Sequence, residues 1–245
     1  MKPQRCKKML LDREANFATV LVMSALVLLS RASVAEESWL DGFDPIPLNT
    51  SGDSEGQSIF QIWPGLANNL ETNNLETYNL ETQQGSFQQQ KQVPILQRAI
   101  ESTGEFYYKP EKGLYWHLLT PIVKTNLFSN AGLSELEWRD DGTLAIKTKA
   151  SGQIISDIML AIFQQNEQRL TKHFRLHKNS GEQQCLALTP QQQAWETILQ
   201  GIQICGTTRP TEIIFFEAHD VRTRLELNYT DFNELSEEAK RFAQH

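Results

Sequence analysis

The chain has 245 residues, 40% of them hydrophobic, and carries 23 Lys/Arg against 30 Asp/Glu for a formal net charge of −7. That length is enough for one domain with a sizeable core. The acidity argues against nucleic acid as a partner, which needs a basic face, and against electrostatic adsorption to anionic membranes.

Residues 1–35 read as a secretory signal peptide. Lys2, Arg5, Lys7 and Lys8 form a basic start, Phe17–Leu29 is an apolar run, and Ser33-Val34-Ala35 is a small-x-small cleavage site. The run is 13 residues, short of the roughly 20 that span a bilayer, which favours cleavage after Ala35 over anchoring. Without these residues, which hold six Lys/Arg and two Asp/Glu, 17 basic residues face 28 acidic ones, a net −11. Cys6 leaves with the signal, so Cys185 and Cys205 remain as a candidate disulfide in an oxidising compartment, the alternative being two separate buried thiols.

Residues 36–57, rich in Asp, Glu, Ser, Gly and Pro, are expected to be a flexible linker before a single domain over 58–245. Within it, Asn69-Leu-Glu-Thr-Asn, Asn74-Leu-Glu-Thr-Tyr and Asn79-Leu-Glu-Thr-Gln are three copies of one pentapeptide, a repeat insert over 69–83. A period of five matches neither helix nor strand, so its leucines make no stripe.

Gly85-Ser86-Phe87-Gln88-Gln89-Gln90-Lys91 alternates as a strand. The segment 104–121 then holds two more, with Phe106 and Tyr108 on one face of the first and Leu114, Trp116 and Leu118 on one face of the second; a slip of one residue would turn Tyr107 and Tyr115 inward instead. Residues 134–139 and 143–149 flank Asp140-Asp141-Gly142 as a hairpin. Ile155, Ile158, Met159, Ile162 and Phe163 then fall at helical spacing, predicting one amphipathic helix over 155–169 with Ser156 as N-cap.

Strands are expected at 172–177 and 183–188. Thr189-Pro190-Gln191-Gln192 reads as a capping box opening a short helix whose face is Trp195, Ile198 and Leu199. Strands at 202–205, 211–218 and 222–229 and a helical turn from Ser236 complete the chain, with Glu217 and Asp220 expected to pair with Arg222 and Arg224 across a hairpin. The fold class is therefore α+β and mainly β: an antiparallel sheet whose aromatic face needs a cover, for which the 155–169 helix is the candidate.

No Gly-x-Ser-x-Gly elbow, phosphate-cradling glycine loop or His-Glu-x-x-His is present. His173 and His177, four apart on a strand, would lie about 13 Å apart, too far to share an ion. No catalytic residue, metal site or cofactor is expected.

The series Gly-x-Phe-x-Gln-x-Lys (85–91), Gly-x-Phe-x-Tyr-x-Pro (104–110), Leu-x-Trp (114–116) and Thr120-Pro121, with Glu217-Ala-His-Asp-Val-Arg-Thr-Arg-Leu further on, resembles the LolA family of periplasmic outer-membrane lipoprotein carriers. The resemblance spans roughly residues 58–244 and is clearest over 85–121 and 211–229. It implies a curved antiparallel sheet forming an unclosed half barrel, lid helices over it, and a cavity for the acyl chains of a lipoprotein or related lipid. It also implies an inner-membrane release complex as donor and an outer-membrane acceptor; a monomer is expected. Cargo would then be lined by Phe87, Phe106, Tyr108, Leu114, Trp116 and Leu118 on the sheet and by Ile158, Met159, Ile162 and Phe163 on the lid. Family members often hold the lid with an arginine before the strand-breaking proline. Lys109 stands there in this chain, so a weaker or differently made clasp is expected. An exported interaction module with a filled core is the competing expectation.

Overall fold

The computed structural model describes residues 39–46, 82–141, 143–149, 152–179 and 185–244. The signal-peptide segment, most of 36–57 and the pentapeptide repeat up to Glu81 lie outside the described residues. No helix among the described residues is long and apolar enough to cross a membrane.

Among the described residues, twelve strands form one antiparallel sheet that does not close into a barrel. In chain order they are β1 (Phe43–Pro45), β2 (Gln83–Gln92), β3 (Ile100–Lys109), β4 (Gly113–Thr120), β5 (Lys124–Ser129), β6 (Gly132–Trp138), β7 (Leu144–Lys149), β8 (Phe174–Asn179), β9 (Cys185–Pro190), β10 (Leu199–Gly206), β11 (Pro210–Glu217) and β12 (Arg222–Tyr229). Their order across the sheet is β1-β8-β9-β10-β11-β12-β2-β3-β4-β5-β6-β7. Two meanders are thus joined where β12 pairs with β2, from Arg222 opposite Gln92 to Tyr229 opposite Gly85. Among the described residues, four α-helices accompany it: α1 (Gln153–Phe163), α2 (Glu167–Thr171), α3 (Gln193–Glu196) and α4 (Glu237–Gln244).

Of the 36–57 stretch, residues 39–46 are described. Phe43 pairs with Asn179 at the edge of the sheet, and the Trp39 ring stacks on Phe216 at 4.4 Å. Within the described part of that stretch, Trp39 and Phe43 contact the sheet in spite of the segment's polar composition.

Alternation sets the faces in β2: Phe87, Gln89 and Lys91 are buried while Ser86, Gln88 and Gln90 are exposed. In β3 and β4 both faces are buried. Phe106, Tyr108, Leu114, Trp116 and Leu118 join the main core on the inner face, while Tyr107 and Tyr115 join Leu136, Leu235, Ala239 and Phe242 in a second core on the outer face under α4. The expected face assignment therefore holds, and the apolar runs 106–108 and 114–116 are continuous because both sides are covered.

Two glycines are required by close approach. A Cβ at Gly104 would collide with the Phe87 ring, which lies over it and stacks on Trp116 at 3.8 Å. Gly113, at φ +106, turns β3 into β4 with the Phe128 carbonyl against it, a backbone region that L residues rarely adopt.

α1 lays Ile155, Ile158, Met159 and Ile162 on the inner face of the sheet, following the i, i+3, i+4, i+7 stripe. The single helix expected over 155–169 is broken at Gln164–Asn166. Gln165 sits at φ 49, and Asn166 caps α2 by accepting from the Arg169 amide at 2.9 Å. Gly152, not Ser156, is the N-cap; the Ser156 hydroxyl is buried and donates to the Ser129 carbonyl at 2.9 Å.

The capping box at Thr189-Pro190 does not form. Both residues end β9, where Pro190 pairs with Phe174 and the Thr189 hydroxyl bonds His177 Nε2 at 2.9 Å. α3 starts only at Gln193, and Leu199 belongs to β10. Proline at a strand end and proline in a first helical turn leave the same mark in a sequence. Cys185 and Cys205 face one another across the β9–β10 ladder and are joined by a disulfide.

Candidate functional site

An apolar pocket lies between α1 and the inner face of the sheet. Trp116 and Phe128 come from β4 and β5, Phe215, Glu217 and Leu225 from β11 and β12, Leu199 from β10, Gln89 from β2, and Ile155, Ile158 and Met159 from α1. Each wall residue is placed by strand alternation or by the helical stripe just described. The free volume is about 20 Å³, room for about one water molecule. α1 is closed on the sheet.

One end of this apolar chamber is polar. Lys91, 1% exposed, donates to both carboxylate oxygens of Glu217 at 3.0 and 3.1 Å, and the Thr223 hydroxyl donates to Glu217 at 2.6 Å. Two charges this far out of water are tolerable only because each is hydrogen-bonded to the other. Beside them stands Gln89, 1% exposed.

Of the side chains the sequence nominates for cargo, Trp116, Ile158 and Met159 line the pocket. Phe87, Phe106, Tyr108, Leu114, Leu118, Ile162 and Phe163 are buried in the same core, behind or beside it. Phe106 packs edge-on to Phe163 at 5.4 Å, which couples the sheet to the C-terminal end of α1. Burial pushes the pKa of the Tyr108 hydroxyl upward, with Gln164 pulling against it. Sequence reasoning missed Gln89 and Glu217 as wall residues and Lys91 as the buried partner of Glu217. The period-2 register from Phe87 puts Gln89 and Lys91 on the inner face and was the available signal.

Lys109 does not hold the lid. Its ammonium bonds Glu111 in its own turn at 2.7 Å, and this contact raises its pKa. The clasp is made by Arg169 on α2 instead. Its guanidinium reaches Asp157 on α1 at 2.7 Å, Asn130 in the β5–β6 turn at 3.0 Å and Gln164 at 3.2 Å. The Gln83 amide adds a bond to the Phe163 carbonyl at 2.8 Å. Three partners in different elements suit a planar fork of donors better than an ammonium.

The expected pairing of Glu217 and Asp220 with Arg222 and Arg224 does not occur. Glu217 is turned inward to Lys91, Arg224 pairs with Glu212 and Glu226, and Arg222 lies over the Phe216 ring. His173 precedes β8 and stacks on Trp195 at 5.0 Å. Partial burial, then the nearby Lys172 charge, lowers its pKa; burial, then Arg175, does the same for His177. Among the described residues no group of three or more His, Cys, Asp or Glu is placed to hold a metal ion.

On the outer face, His117 Nδ1 meets the Thr125 hydroxyl at 2.8 Å, and Thr125 and Tyr115 donate to Glu238 of α4 at 3.1 and 3.3 Å. Burial, then the Glu238 charge, holds the Tyr115 hydroxyl far above its ordinary pKa. These bonds fasten α4 to the sheet, on the side away from the pocket.

No family model matches the sequence, and no curated protein is significantly similar to it. Solved structures with a similar course of strands and helices include a LolA superfamily protein from Nitrosomonas europaea, at 12% identity and a TM-score of 0.34 over 64% of this chain and 89% of that one. A domain from Vibrio parahaemolyticus described as an outer membrane lipoprotein-sorting protein aligns at 8% identity and a TM-score of 0.33, over 69% of this chain and 93% of its own. The Pseudomonas aeruginosa MucA/MucB complex aligns at 12% and 0.36, over 73% of this chain and 60% of the other. At these values no residue role passes from them to this chain.

Proposed function

We propose that this protein is a periplasmic carrier that takes the acyl chains of a lipoprotein, or of a related lipid, between α1 and the inner face of its sheet and hands them on without chemistry. The observation that carries the reading is the roof: a short helix, separate from the sheet's ladder, covers a mainly apolar face and is tied to its surroundings by a few polar contacts, that of Arg169 with Asp157 among them. Displacing α1 would open a chamber floored by Trp116, Phe128, Phe215 and Leu225. Each CH₂ of a chain entering it would contribute about 0.8 kcal/mol, so a long acyl chain could offset the loss of the α1 contacts. The sequence resemblance over 85–121 supports the same reading, and with it an inner-membrane donor and an outer-membrane acceptor.

The second reading, an exported interaction module that carries no lipid, is favoured by the small free volume of about 20 Å³. Native mass spectrometry of the mature protein, purified gently from periplasm beside its Ile158→Asp variant, separates the two. A lipid or lipoprotein adduct on the wild type that the variant loses is the expected result, and its mass identifies the cargo. A bare, folded protein in both preparations that also refuses added acylated peptides leaves the interaction module.

A further inference from the structure

Buried polar atoms without partners are few in folded proteins, because each carries its desolvation cost uncompensated. Among the described residues, three such atoms belong to two side chains that face each other. Gln89 Nε2, Gln89 Oε1 and Ser102 Oγ make no hydrogen bond, and Gln89 and Ser102 are directly opposite in the β2–β3 ladder at 1% and 2% exposure. Side chains so paired have Cβ atoms about 5 Å apart on one face. Gln89 also lines the pocket under α1, next to Glu217. Leucine at 89 and alanine at 102 would suit the apolar wall and remove the cost. Groups that disfavour the empty fold in this way are characteristic of binding sites.

We infer that Gln89 and Ser102 form a polar subsite that reads an amide on the acyl cargo. The inference rests on the carrier reading and specifies its ligand. Gln89 offers two N–H donors and one carbonyl acceptor, and the Ser102 hydroxyl can donate or accept. A cargo amide supplies one N–H for Gln89 Oε1 and one carbonyl whose two lone pairs accept from both Gln89 Nε2 and Ser102 Oγ, so all three orphan atoms are met. An ester offers only acceptors and leaves Gln89 Oε1 facing an oxygen. A carboxylate does the same and also brings a negative charge toward Glu217, whose own charge is already matched by Lys91 at 3.0 Å. The polar end therefore selects a neutral acyl amide over a free fatty acid or a simple ester of equal chain length.

The test is competition against a fluorescent acyl probe on the full mature protein, with N-ethyldodecanamide, ethyl dodecanoate and dodecanoate as competitors. The amide should displace the probe at a concentration about tenfold below the ester and the acid, the cost of leaving a buried acceptor unpaired. Gln89→Leu combined with Ser102→Ala should shrink that preference to under twofold and raise the Tm of the empty protein. Equal wild-type affinities for amide and ester overturn the subsite with no variant needed. So does a preference that survives the double substitution, or a lowered Tm, which would assign Gln89 and Ser102 to a trapped structural water. If no acyl probe binds the wild type at all, the carrier reading falls and the subsite falls with it.

Discussion

The Arg169 guanidinium on α2 donates to the Asp157 carboxylate on α1 at 2.7 Å, across the bend at Gln165 that separates the two helices. Each side chain is 23% exposed, so the contact is partly shielded from water and stronger than an open surface pair. It ties the roof of the pocket to an element that is itself anchored by Leu170 in the core.

Arg169→Ala should loosen that roof by about 1 kcal/mol. Hydrogen exchange at the α1 amides should then run about fivefold faster, while the β9–β12 strands exchange as before. Arg169→Lys keeps a single charge contact and loses the fork, so it should fall between the two. Unchanged α1 exchange in the alanine variant would mean that apolar packing alone holds the roof.

Lys91 and Glu217 test the polar end. Lys91→Met strands a carboxylate that is 13% exposed and should cost about 3 kcal/mol in a denaturant titration. Adding Glu217→Leu should recover most of that loss, since a buried pair replaced by apolar groups of similar volume is often neutral. A single variant as stable as the wild type would show that water already reaches Glu217.

The sheet was legible wherever a strand alternated or a turn was marked. Gly85–Lys91, the β6–β7 hairpin and the β11–β12 pair stand close to where their residues place them. The roof was legible only as a stripe. Ile155–Phe163 shows its apolar face, but nothing in Gln164-Gln165-Asn166 announces a residue at φ 49, because a polar triplet fits a helix surface as well as a break. The polar end was hidden by distance. Gln89 and Lys91 read as solvent-facing until Phe87 fixes the register, and Glu217 lies 126 residues from Lys91 in sequence. The clasp was sought at Lys109 because of its place before Pro110; its own turn supplies Glu111 as a nearer partner.

The disulfide should matter to stability more than to the pocket. Cys185 and Cys205 are 20 residues apart in sequence, and closing such a loop stabilises by about 3 kcal/mol on the chain-entropy model. For a domain of this size that corresponds to a Tm lower by roughly 6–12 °C in the Cys185→Ala, Cys205→Ala variant. Acyl binding measured below both transitions should be unchanged, since neither cysteine lines the pocket. Free thiols titrated in the denatured, unreduced wild type would remove the basis of this expectation.

The outer face offers the control for all of these. Phe242 on α4 stacks on Tyr115 at 4.6 Å and meets Tyr107 edge-on at 6.4 Å. Phe242→Ala empties the second core and should cost about 3 kcal/mol, visible as a lower denaturant midpoint. Because α4 and the pocket lie on opposite faces of β3 and β4, cargo affinity at low denaturant should not change. A variant that stays folded yet loses acyl binding would show that the two faces are coupled through the sheet.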